Sequence, residues 1–338
     1  MKTLSLKSAK IKNIFQQLEG NFGGEMQKDA KEYILEIDNQ MGQGIIKGMT
    51  FNSGISYLEF DMTFSEDFQL VTETNEETPI CFAYCAKGKV AHSFGLGNEK
   101  RVLENFQTGI LTSKSLQDNV IYFQKNVDIK ITLIVVNPVQ KETDTKTLNY
   151  KLQNLYLEEN VPENYIYIGS YNLKIAEKIE QLAAINQKGI VRSLMIESLV
   201  QMILALEIEQ HLEDMKNANQ KTGTLSTWEM TSIKELSQFI NNYPERNLTV
   251  TELCRKGGLS PSKLQEGFKL MHGRTVIDYI REVRVRKAEN LIKNTDLNIS
   301  EVVYSIGFTS RSYFSKIFKS KYNCSPKQYK AKQMAMAI

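Results

Sequence analysis

Ten side chains in the last third of the chain are of the types that read nucleic acid. Ser262, Lys263, Gln265, Glu266 and Lys269 are left on the outer side of one short helical segment, and Arg311, Ser312, Ser315, Lys316 and Lys319 on that of another. Amide, hydroxyl and guanidinium groups hydrogen-bond base edges in a major groove, and cationic side chains hold phosphates. Glu266 is the odd member, because a carboxylate accepts from a cytosine amino group but is repelled by phosphate.

Other chemistry is poorly provided for. Of the three histidines, His92, His211 and His272, only His92 falls in the first 170 residues, too few for a metal centre built from converging imidazoles and carboxylates. Cys81, Cys85, Cys254 and Cys324 have neither disulfide nor zinc spacing. Cys81 and Cys85 would share one face of a strand about 13 Å apart, so they cannot chelate one ion together. No Ser or Cys nucleophile has a plausible base beside it, no glycine loop could cradle a phosphate, and Gly95-Leu96-Gly97 reads as a turn. The expectation is a binding protein, not an enzyme, and no cofactor.

The elements that carry the ten side chains repeat. Val250, Glu252, Leu253 and Gly258 match Ile299, Glu301, Val302 and Gly307 at a spacing of forty-nine, and after the turn Leu264, Phe268, Lys269 and Tyr279 match Phe314, Phe318, Lys319 and Tyr329 at fifty. One supersecondary unit is used twice, and the slip falls in the turn, where an insertion is cheapest. In the first copy Thr249 and Glu252 form a capping box, Ser260 caps and Pro261 starts a second helix running to about Met271. In the second, Ser300 opens a helix that Gly307 ends, and Ser310 caps the next. Ser226 with Glu229 is a further capping box, whose helix Pro244 would end, and Ser325-Pro326 starts a closing helix.

Between the copies Val276, Ile280, Val283, Ala288, Leu291 and Ile292 mark a helix of about nineteen residues, roughly 28 Å long. Successive major-groove windows on one face of B-DNA lie about 34 Å apart. A rigid connector of that length can set two helix-turn-helix units, 249–271 and 299–321, on adjacent turns of one duplex.

Charge is divided in the same way. Residues 225–338 hold 19 Lys plus Arg against 10 Asp plus Glu, net +9, while residues 1–224 hold 23 against 29, net −6. Segregation of this kind points to a polyanionic partner for the repeat.

The run from Arg286 to Tyr329, with its G-F-x-S-x-S-Y-F-x-x-x-F-K core and terminal S-P-x-x-Y, resembles the signature of the AraC/XylS-type regulators. The resemblance covers about the last hundred residues. It implies a bipartite helix-turn-helix domain on double-stranded promoter DNA, and transcriptional control, usually activation through RNA polymerase. The positions matching Ser262, Gln265, Glu266, Arg311, Ser312, Ser315 and Lys316 are the usual base-facing ones, and Glu266 stands where a basic residue is frequent. The L-Q-E-G-F-K-L-M-H-G run and the helix around Leu194 resemble the PchR-like subgroup, which implies an iron–siderophore effector.

Upstream, the fold class is α+β. Ile11, Ile14, Phe15 and Leu18 predict an opening helix. Short runs between turn residues predict strands over Tyr33–Ile37, Gly44–Thr50, Ile55–Phe60, Phe68–Thr72, Ile80–Ala86, Val120–Phe123 and Val127–Val136, with hairpin turns at Asn52-Ser53-Gly54 and Lys87-Gly88. Such spacing suggests a small β-barrel or jelly roll over residues 1–170, cupin-like by resemblance, able to enclose a small-molecule effector whose contact residues the sequence does not identify.

Ile175, Ile179, Leu182 and Ile185 make one apolar stripe, and Val191, Leu194, Met195, Met202, Ile203 and Leu206 a second, with Gly189 dividing them. They predict a helical hairpin over 171–216 whose second stripe serves either its own barrel or a homodimer partner. A polar linker, 217–225, then leads to the all-α domain, 226–335. Met1 to Phe15 has no apolar signal-peptide core, and the longest apolar stretch, Leu194–Leu206, is broken by Glu197 and Gln201, so a cytoplasmic protein without a membrane span is expected. Two alternatives remain: an enzyme or repair protein fused to a DNA-binding module, and an architectural DNA binder with an inert barrel.

Overall fold

The structure, a computed structural model, describes residues 2–7, 10–73, 79–115, 117–137, 147–158, 161–216 and 225–336. The chain divides into two compact units, Met1–Thr222 and Gly223–Ile338. The expected linker 217–225 lies, except for Leu225, outside the described residues.

The first unit is built on two sheets. Strands β1 (Lys2–Leu6), β6 (Phe68–Thr72), β11 (Asn119–Phe123), β8 (Lys89–Phe94) and β9 (Arg101–Glu104) form the smaller in that order, with β1 parallel to β6. The larger has eight antiparallel strands in the order β13 (Asn164–Tyr171), β10 (Gln107–Ser113), β7 (Ile80–Lys87), β12 (Asp128–Val136), β5 (Ile55–Phe64), β4 (Gly42–Thr50), β3 (Glu32–Asn39) and β2 (Glu25–Asp29). Alternation along β5 sends Leu58, Phe60, Met62 and Phe64 into the core shared with the smaller sheet, where they meet Leu70, Phe94 and Phe123. Helix α1 (Ile11–Phe22) joins that core through Phe15, Leu18 and Phe22, as its spacing predicts.

Asn52-Ser53-Gly54 does join a hairpin, since β4 and β5 pair in register. Lys87-Gly88 does not. β7 pairs with β10 and β12 while β8 pairs with β9 and β11, so the turn carries the chain from one sheet to the other.

Both faces of the larger sheet are buried along its central strands β10, β7, β12 and β5. On its outer face Tyr57, Phe82, Tyr84, Ile110 and Ile134 are closed off from solvent, with α2 (Leu148–Leu157), α3 (Leu173–Ala183) and α4 (Gly189–Lys216) nearby: the Phe82 and Tyr156 rings lie 5.6 Å apart and Tyr84 Oη donates to Asn172 O at 2.7 Å. Helix α4 is anchored at its start by Arg192, whose Nε donates to Glu32 Oε2 at 2.6 Å and whose Nη1 donates to Ile185 O. At its end Asp214 accepts from Tyr167 Oη, Ser170 N and Ser170 Oγ.

The first expected stripe, Ile175 to Ile185, is buried. Most of the second is not. Ile203 is enclosed, but Leu194 is 60% exposed and Met202 50%, with Val191 and Met195 beside them. Helix α4 is long and apolar enough, by length and composition alone, to cross a membrane, contrary to the sequence expectation. Its opposite face, however, packs on the sheet-rich unit, where Glu207 and His211 are buried and Arg192 pairs with Glu32 of β3.

The second unit is all helical: α5 (Thr227–Asn242), α6 (Val250–Gly257), α7 (Pro261–His272), α8 (Val276–Asn294), α9 (Ile299–Ser305), α10 (Arg311–Tyr322) and α11 (Pro326–Met336).

Candidate nucleic-acid interface

Each copy of the repeat is a short helix, a tight turn and a second helix. In the first, Thr249 Oγ1 accepts from Glu252 N to start α6, the left-handed Gly258 ends it, and Ser260 caps α7 with Pro261 in its first turn. Of the expected capping box, the Thr249 half closes α6 onto its first turn. In the second copy the cap is Asn298, not Ser300: Asn298 and Glu301 exchange side-chain and backbone bonds, and Ser300 falls inside α9. An asparagine one position outside the helix reaches the same backbone N–H as a serine would, so the start moves without loss of capping.

Buried apolar residues orient both second helices. Leu264 and Phe268 of α7 are sealed from solvent, and α7 lies so close to α5 that a Cβ on Gly267 would come 2.3 Å from Ile233 Cγ1. In α10, Phe314 and Phe318 enter a core with Val285, Ala288, Ile292 and Val302. Between them α8 spans 19 residues, the length read from the sequence.

The opposite faces carry the ten predicted side chains. Arg311, Ser312, Lys316 and Lys319 are exposed along α10, and Ser315 is half-buried. On α7, Ser262 and Lys269 are exposed, whereas Lys263, Gln265 and Glu266 are half-buried. Two of these have partners that the sequence does not suggest. Lys263 Nζ lies 3.3 Å from Glu229 Oε2 on α5, and Gln265 Oε1 accepts from Val276 N at the start of α8, at 3.3 Å. Gln265 therefore spends its carbonyl on the fold and keeps its amino group to donate. The two units are unequal, with α10 presenting the freer cationic face.

Tyr313 was missed. It is the repeat counterpart of Lys263, stands exposed at the start of α10, and has the Arg281 guanidinium 5.8 Å from its ring centre. The fifty-residue offset could have found it, but an aromatic in that position reads more readily as core.

In the sheet-rich unit an aromatic cluster occupies part of the space between the sheets. Phe22, Phe60, Phe64, Phe68 and Phe123 stack at ring separations of 5.0 to 5.8 Å. Beyond them a cavity of about 10 Å³, room for a single water, is lined by His92 among Val90, Leu103, Ile121, Ile131 and Leu133. His92 Nε2 bonds Asn119 Oδ1 at 3.2 Å, Nδ1 has no partner, and burial pushes the imidazole pKa down to about 4. Among the described residues no cluster of three His, Cys, Asp or Glu could hold a metal ion. Cys85 is buried, and Cys81 packs against the same core with its thiol pushed up to about 12 by burial, which disfavours the thiolate.

The family description "Helix-turn-helix domain" matches residues 253–332. The C-terminal unit carries an AraC-type helix-turn-helix domain. Over this region the chain is similar to the HTH-type transcriptional regulator MtrA of Neisseria gonorrhoeae, at 28% identity across 40% of this chain and 44% of that protein. It is also similar to the HTH-type transcriptional regulator YdeC of Bacillus subtilis, at 31% identity across 29% and 34%. The C-terminal domain of the two-component response regulator yesN from Fusobacterium nucleatum aligns at 35% identity over 29% of this chain and 96% of that one, with a TM-score of 0.27. The chain spans less than half the length of these two regulators.

Proposed function

We propose that the protein is a ligand-responsive transcriptional regulator that binds double-stranded promoter DNA through α7 and α10. The carrying observation is the pair of capped helices, each sealed on one face by apolar side chains and lined on the other by the ten polar and charged residues, at the two ends of a 19-residue connector. The helices then read neighbouring major-groove segments from one protomer. The regulator names borne by MtrA and YdeC agree with this reading. Activation through RNA polymerase and a place in the cytoplasm follow from the family resemblance.

Arg311→Ala and Lys316→Ala are expected to lower discrimination between a selected duplex and unrelated DNA by about 1–3 kcal/mol each. Competition binding at two salt concentrations reads this. If only the salt-sensitive, nonspecific component weakens, the two side chains contact phosphate rather than bases.

The sheet-rich unit is the sensor, a cupin-like jelly roll. Iron–siderophore complexes, the effector class of the PchR-like subgroup, are the first ligands to test. A cavity of about 10 Å³ admits no such molecule unaided, so an effector entering between the sheets must displace side chains. That displacement would supply the differential affinity a ligand needs to shift a two-state protein.

The protein works as a homodimer through α4. Val191, Leu194, Met195 and Met202 form an exposed apolar strip at helical spacing, beside an open groove of about 550 Å³ that also reaches Gln181 and Ile185 of the α3 side. A charge within the strip, Leu194→Glu, should shift the sedimentation mass from dimer to monomer while leaving the helical circular dichroism unchanged; an unchanged dimer puts the interface elsewhere.

A further inference from the structure

We propose that Arg284 is a positioning residue that fixes the second helix-turn-helix against the first, and thereby the spacing of the two DNA segments the domain accepts. The inference rests on the reading of α7 and α10 as paired DNA-reading helices.

Arg284 sits at the middle of α8, half-buried, where three parts of the domain meet. Its Nε donates to Pro244 O at 2.8 Å and its Nη2 to Arg246 O at 2.9 Å. Both carbonyls belong to the loop between α5 and α6, which leads into the first helix-turn-helix. Its guanidinium carbon lies 5.7 Å from the ring centre of Phe308, in the turn between α9 and α10 of the second unit. The neighbouring Gly307 holds φ +82°, and a Cβ there would fall 2.7 Å from Glu245 O and 3.0 Å from Arg284 Nη2. One planar group is thus held edge-on by the loop that leads into the first helix-turn-helix and covered by an aromatic ring from the turn of the second.

Arginine suits this place better than lysine. Its fork offers donors in two fixed directions and a flat face for an aromatic ring, whereas an ammonium is a point charge on a flexible stem. With the fork in place, α8 cannot roll against loop 244–246 without breaking two charge-assisted hydrogen bonds, and the Phe308 turn moves with it. Without it the two units stay joined by α8 but lose a fixed angular setting. The consequence for DNA is geometric. One extra base pair between the two segments moves the second by about 3.4 Å and turns it by about 35°.

The full-length protein is used to select duplexes from a random pool, and the recovered duplex is remade with one base pair inserted or removed between its two segments. Affinity for both forms is then measured for wild type, Arg284→Ala, Arg284→Lys and Gly307→Ala. Wild type should bind the altered duplex roughly tenfold more weakly, as for a lost base-pair contact. Arg284→Ala should bind the selected duplex roughly tenfold more weakly and lose less than about threefold on insertion. Gly307→Ala, which wedges the same junction from the other side, should behave alike.

Equal weakening of both duplexes in the variants, with the spacing penalty intact, would mark a merely structural residue and overturn the inference. So would unchanged binding. Should Arg284→Ala fail to melt cooperatively, Arg284→Lys decides, because it keeps the charge and stem but cannot span both carbonyls; a full spacing penalty in that variant overturns the proposal. Wild type selecting no two-segment duplex overturns the DNA-reading assignment itself, and this inference with it.

Discussion

Phe318→Ala is expected to destabilise the second helix-turn-helix by about 3–5 kcal/mol, a large share of the roughly 5–15 kcal/mol that holds a folded domain together. The ring is fully buried and lies 5.5 Å from Phe314, 4.5 Å from Tyr322 and 5.4 Å from Tyr329. Tyr329 in turn donates to Glu289 Oε1 on α8 at 2.7 Å, so the cavity would open at the junction of α8, α10 and α11. Filling it needs a collapse of three helices pinned elsewhere. Urea unfolding of the variant, followed by helical circular dichroism, measures the cost. A loss under about 1 kcal/mol would place Phe318 outside the core that orients Arg311 and Lys316.

Glu207→Gln should stabilise the sheet-rich unit at neutral and alkaline pH and flatten its pH dependence. Glu207 is 1% exposed on α4, and neither of its carboxyl oxygens has a hydrogen-bond partner. Cys81 and Tyr84 of β7 and Tyr156 of α2 are close enough for its charge to raise their pKa values, and none supplies a compensating positive charge. Burial therefore holds the Glu207 pKa well above the ordinary carboxyl range, and the folded state keeps the proton.

The unfolded chain releases that proton at an ordinary carboxyl pKa. The stability associated with the protonated group is complete below that value and falls as pH rises toward the folded pKa, by about 1.4 kcal/mol per pH unit while the two states differ by one proton. His211 acts in the opposite sense. Its pKa is lowered by burial, and Tyr165 Oη lies 2.8 Å from Nε2, so the folded state favours a neutral ring and loses stability as pH falls below the ordinary histidine value. Wild type and Glu207→Gln melted across pH 5 to 9 separate the two branches. Parallel curves above pH 7 would show that Glu207 is ionised in the folded protein.

Much of the helical half was legible because its signals are local. A Ser or Asn cap, a Pro in the first turn and a Phe every fourth residue act within one or two turns of backbone, and α5, α7, α8 and α10 begin within a residue of their predicted starts. The shift from Ser300 to Asn298 is the kind of error local signals allow, since both residues cap well.

The sheet half was legible only in part. Seven predicted strands correspond to β3, β4, β5, β6, β7, β11 and β12, while β1, β2, β8, β9, β10 and β13 went unread. Strand β10, Gln107–Ser113, shows why. It is buried almost throughout, so it carries Thr108, Gly109 and Thr112 without the in-out alternation that marks a half-buried strand. Its place is set by β7 and β13, the latter some sixty residues later in the chain.

Composition and spacing by themselves determined the twofold repeat, its caps, its connector length and the basic charge gathered on it, since each follows from residues a few positions apart. Only the tertiary structure decided that Lys263 and Gln265 are partly engaged by α5 and α8, that the apolar strip of α4 is bare, that Glu207 is buried without a partner, and that Arg284 joins the two units. Those facts depend on which distant segments pack together, and packing energy is a property of the assembled neighbours rather than of any stretch of chain.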